Sequence, residues 1–148
     1  MGLWAVLRAI WFVIVGIPIF YVVAVLFGAP LLSELYETLT FAIALSCLVF
    51  FPLGLTFTSY DQLGRLVFEN RPDTKRQLVA QRIAFGSVLG AWGGAAVIPL
   101  DWDRPWQIWP TPCVAGGVIG AFLGLLLAIF ALRCGPLTFS KRQKWKIV

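Results

Sequence analysis

Four long runs without a single charge dominate this chain. Residues 9–33, 38–60, 83–100 and 105–132 contain no Asp, Glu, Lys or Arg, which gives stretches of 25, 23, 18 and 28 residues. A helix rises 1.5 Å per residue, so about 20 apolar residues cross a hydrocarbon core roughly 30 Å thick. Each run is therefore long enough for one membrane-spanning helix. Composition agrees: 59% of the 148 residues are hydrophobic and 13% are charged, and a soluble domain of this size has too little interior to hide that much apolar surface. An all-α membrane protein is predicted, with about four transmembrane helices over 9–30, 38–59, 82–99 and 112–132, forming one domain across 1–148. The first run is too long for the apolar region of a signal peptide, and no small-x-small cleavage pattern follows Pro30.

The charges at the borders give an orientation. With four spans the amino end, the 61–82 connection and the carboxyl tail share one side, and they hold 11 of the 12 basic residues. The other side holds Arg104 together with Glu34, Glu37, Asp101 and Asp103. Basic loops stay in the cytosol, so both termini are expected to be cytosolic, with the 31–37 and 99–112 connections on the far side.

The last two runs repeat one device. Gly86, Gly90 and Gly94 recur every fourth residue, as do Gly116, Gly120 and Gly124. That spacing puts each trio on one helix face, where missing side chains let another backbone approach closely. The plain expectation is a Gly-rich hairpin of the last two helices; part of the small surface could instead face a partner or a lipid. Joining the two runs is Pro99-Leu-Asp-Trp-Asp-Arg-Pro-Trp-Gln-Ile-Trp-Pro, with three tryptophans in eight residues. Interfacial anchoring accounts for the indoles. It does not require Asp101 and Asp103 on either side of Trp102, nor Arg104, which suits a phosphate or a carboxylate. Asp101, Trp102, Asp103, Arg104, Trp106 and Trp109 are thus candidates for partner or lipid contact.

The 61–82 connection mixes charge with Leu63, Leu66, Val67 and Phe68 and reads as a short amphipathic surface helix broken at Arg71-Pro72, after which Asp73 is placed to cap the third span. Cys47, Cys113 and Cys134 fall at different depths and form neither a disulfide framework nor a metal site. Lys146 and Lys144, third and fifth from the carboxyl end, match the K-x-K-x-x retrieval pattern of endoplasmic reticulum (ER) membrane proteins, against the simpler reading of a polybasic stop.

Catalytic equipment is sparse. The chain has no histidine, and G-x-S-x-G and phosphate-cradling glycine loops are missing. The uncharged spans also offer no proton or ion path. No cofactor or metal is expected, and an accessory subunit is the reading the residues favour.

Two stretches carry a resemblance. Leu26-Phe-Gly-Ala-Pro-Leu-Leu-Ser-Glu-Leu-Tyr-Glu-Thr-Leu-Thr-Phe-Ala and, following Gly90-Ala-Trp, Ile98-Pro-Leu-Asp-Trp-Asp-Arg-Pro-Trp-Gln-Ile-Trp-Pro resemble the PIG-F family of glycosylphosphatidylinositol (GPI) anchor biosynthesis, over roughly 21–141. Members of that family are usually longer, with a further pair of spans at the amino end. The resemblance implies a multi-pass protein of the ER membrane. It also implies a non-catalytic subunit that stabilises an ethanolamine phosphate transferase of the PIG-O or PIG-G type, the enzymes that add phosphoethanolamine to mannose of the GPI precursor. The alternative is a lipid-handling subunit that forms part of a cleft for the GPI precursor.

Overall fold

The computed structural model describes residues 2–29, 33–57, 62, 64, 66, 72, 74–100, 104, 105 and 108–134. These residues form an all-helical protein. Its four long helices are α1 (Leu3–Leu26), α2 (Leu35–Thr56), α3 (Lys75–Ala95) and α4 (Thr111–Cys134). Three of them, α1, α2 and α4, are long and apolar enough to cross a membrane. α3 is the exception, because its first two turns carry Lys75, Arg76, Gln77, Gln81 and Arg82 ahead of the apolar half.

Helix ends fall where local chemistry places them: all four helices start before the borders that charge suggests, and α1, α2 and α3 end short of them. α1 starts six residues before the expected position, so Arg8 lies within it; the Arg8 Nε–H donates to the Gly54 carbonyl at 3.1 Å. That carbonyl belongs to the last turn of α2, where no intrahelical donor is available. α1 ends in a Schellman motif: Ala29 N–H reaches the Ala24 carbonyl and Gly28 N–H the Val25 carbonyl, each at 3.0 Å. Gly28 supplies the positive φ of 103° that this motif needs. The cap of α3 is Thr74 and not Asp73. Thr74 has extended backbone angles, and its hydroxyl accepts from the Gln77 N–H at 3.2 Å. Thr-x-x-Gln is itself a helix-start signature.

α2 is the middle of the bundle. It packs against α1 on one side and α3 on the other and touches α4, while the most extensive helix contact is α3 with α4. Its buried residues Thr38, Phe41, Ala42, Leu45, Ser46, Val49 and Leu53 recur at helical spacing on one stripe. Phe41, Leu45, Val49 and Leu53 join Ala80, Ala84 and Ala91 of α3 and Cys113 of α4 in a single core. α1 buries only Ala9, Gly16 and Ala24 and leaves Trp4, Trp11, Ile14 and Val22 exposed, as suits a peripheral helix in lipid. Of the 61–73 connection, residues 62, 64 and 66 are helical. Leu66 is buried, and its carbonyl accepts from Gln81 Nε2 at 3.0 Å; this residue is core, not headgroup-facing surface.

Candidate functional site

The glycine trios meet each other. α3 and α4 run antiparallel, and a Cβ built on any of the six glycines would strike backbone of the opposite helix. At Gly86 it meets the Gly120 carbonyl, at Gly90 the Gly116 carbonyl and at Gly94 the Pro112 carbonyl. From the other side, Gly116 faces Gly90, Gly120 faces Gly86, and Gly124 faces the Arg82 carbonyl. The Gly90 position would also lie 2.8 Å from Gly120 Cα and the Gly120 position 2.9 Å from Gly90 Cα, closer than carbon atoms pack. In lipid such backbone proximity is a main source of helix association, because dispersion between well-fitted surfaces replaces the missing hydrophobic drive. Next to this seam Ser87 is buried and donates to the Ile83 carbonyl at 2.8 Å. Gly117 lies against Leu48, Ser87 and Ala91, which brings α2 onto the same pair.

A second close approach was not visible in the sequence. A Cβ on Gly54 would lie 2.6 Å from Ala9 Cα, and one on Gly16 would enter the ring of Phe50. Phe50 also stands 5.6 Å from the Phe20 ring. Ala9, Gly16 and Gly54 sit singly among large apolar residues, so no four-residue repeat announces them.

The connection between α3 and α4 is described at 96–100, 104, 105 and 108–110. Arg104 is exposed, as are Pro105 and Ile108. Trp109 is turned inward and half-buried: its ring centroid lies 5.1 Å from that of Phe41, tilted by 51°, and its Nε1–H donates to Thr38 Oγ1 at 3.4 Å. Asp101, Trp102, Asp103, Trp106, Lys144 and Lys146 lie outside the described residues. Cys47 and Cys134 are exposed and Cys113 is buried, all three as free thiols. Among the described residues no three Cys, Asp or Glu side chains come together as a metal site would need.

The site is thus a backbone-close helix pair with Trp109, near the start of α4, turned onto Thr38 and Phe41 of α2. The family model described as "GPI biosynthesis protein family Pig-F" matches residues 3–129. The chain belongs to this family. Among curated PIG-F relatives, the glycosylphosphatidylinositol anchor biosynthesis protein 11 of Debaryomyces hansenii is 39% identical over 114 residues, which is 75% of this chain and 48% of the relative. The human GPI ethanolamine phosphate transferase, stabilizing subunit, is 38% identical over 110 residues, 74% of this chain and 50% of the relative. The mouse protein of the same description is 37% identical over 109 residues, 73% of this chain and 50% of its own length. The chain spans about half the length of these relatives. No solved structure matches it.

Proposed function

We propose that this chain is a non-catalytic, multi-pass membrane subunit that stabilises a GPI ethanolamine phosphate transferase, of the PIG-O or PIG-G type, in the ER. The observation that carries this reading is its 38% identity to the human stabilizing subunit across 74% of the chain. The physical character of the chain supports it: helices built for close backbone packing, an exposed arginine on a short connection, and no histidine. In this reading α3 also crosses the membrane, as the third of four spans, and its polar first turns stand at the cytosolic surface with Arg8 and the tail. The 101–109 loop faces the lumen, the hairpin that the glycines hold closed presents its outer surface to the partner's membrane domain, and Lys144 and Lys146 return the protein to the ER.

The test is capture of the catalytic subunit by an affinity-tagged copy of this chain from detergent extract. Gly90→Leu, Gly120→Leu and Trp106→Ala are each expected to lower the amount captured. Undiminished capture in all three overturns the docking surface named here.

A further inference from the structure

Thr38 is the one described residue of α2 whose side chain reaches into the α3–α4 connection through a hydrogen bond. Its side chain is 0% exposed, and a hydroxyl removed from water needs a partner or its burial is costly. The partner is the Trp109 indole, at 3.4 Å. Phe41, three residues further along α2 and so on the same helical face, supplies a ring at 5.1 Å from the same indole. Trp109 stands one residue ahead of the Pro110 whose carbonyl accepts from Val114 N–H in the first turn of α4. The connection therefore has two anchors on different helices. One end is held where Gly94 of α3 abuts Pro112 and Cys113. The other is held by α2 through Trp109.

We infer that Thr38, with Phe41, is a positioning residue that sets the stance of Ile108 and the carboxyl end of the α3–α4 connection through Trp109, so that Trp109 acts by orienting its neighbours and not by touching a partner. The inference rests on the docking reading only for its consequence, namely that a correctly set loop is what the transferase meets. Thr38→Val keeps shape and removes the hydroxyl; Trp109→Phe keeps an aromatic ring and removes the N–H. Thr38→Ser restores the hydroxyl alone.

The experiment places a nitroxide label at Ile108→Cys, an exposed position beside Trp109. The background is Cys47→Ser and Cys134→Ser, in the purified full chain without partner. Thr38→Val and Trp109→Phe are each expected to raise the mobile fraction of the label, with helix content unchanged, and Thr38→Ser to return it to the wild-type value. The loop-set equilibrium should shift about two- to tenfold, the worth of one neutral hydrogen bond. A label indifferent to Thr38→Val, or loosened equally by Thr38→Ser, overturns the inference whatever happens to the partner. Capture of the transferase by the same variants is read separately. A loosened label with full capture leaves the positioning role standing and removes the loop from the docking surface.

Discussion

Gly90→Ala adds one methyl group to the tightest part of the bundle, and its cost can be worked from the backbone. The new Cβ would meet the Gly116 carbonyl oxygen and would lie 2.9 Å from its carbon and 2.8 Å from Gly120 Cα. None of these atoms is the end of a flexible side chain, so relief comes only from moving the helices apart by on the order of 1 Å. A gap of that size forfeits a quarter to a half of each dispersion contact along the seam. For roughly 40 atom pairs at about 0.15 kcal/mol each, the loss is about 1.5–3 kcal/mol, the range seen for overpacked cores. Gly93 is the internal control. It lies on the same helix, three residues away, with nothing within 4 Å of an added Cβ. Gly93→Ala should therefore be neutral or stabilising by up to about 1 kcal/mol, through helix propensity alone. Reversible unfolding in mixed micelles, followed by circular dichroism, measures both. Gly90→Ala is expected to raise the unfolding constant by about ten- to 150-fold at one factor of ten per 1.4 kcal/mol. Equal stability of the two variants would refute the close-packed seam.

The α1–α2 contact and the α3 cap make two further tests. Gly54→Ala forces its methyl to within 2.6 Å of Ala9 Cα, whereas Gly16→Ala meets only the ring of Phe50, which can turn away; in the same unfolding assay Gly54→Ala should cost more, by about 1 kcal/mol or above, and a reversed order would contradict the packing. Thr74→Ala should lose about 1 kcal/mol through the missing bond to Gln77 N–H, with Thr74→Ser near wild type, and amide exchange at the start of α3 would report it; unchanged exchange would show the cap to be idle.

The long helices were legible because hydrocarbon excludes charge: the four uncharged runs became the four long helices among the described residues. Helix ends were less so. Arg8 and Glu37 marked the borders of uncharged runs, yet long or terminal charged side chains reach the interface from inside a helix, and both residues prove to be helical. The start of α3 was legible to within one residue, Asp73 and Thr74 both being good caps, and the structure uses Thr74, whose hydroxyl accepts from the Gln77 N–H. At the site, the six glycines were readable because their spacing matches the helix repeat. The inward turn of Trp109 was not, because an indole is equally at home at a headgroup and on a buried threonine. Thr38 was not singled out, being one of two threonines, with Thr40, at the head of an apolar run.

If this chain stabilises a catalytic subunit, as proposed, the lifetime of that subunit depends on it. The half-life of the transferase polypeptide should be followed in cells depleted of this chain, then restored with the wild type or with Gly90→Leu. Depletion is expected to shorten the half-life with unchanged transcript, the wild type to restore it and Gly90→Leu to restore it incompletely. A catalytic subunit that persists at its normal level and half-life without this chain would contradict the proposal.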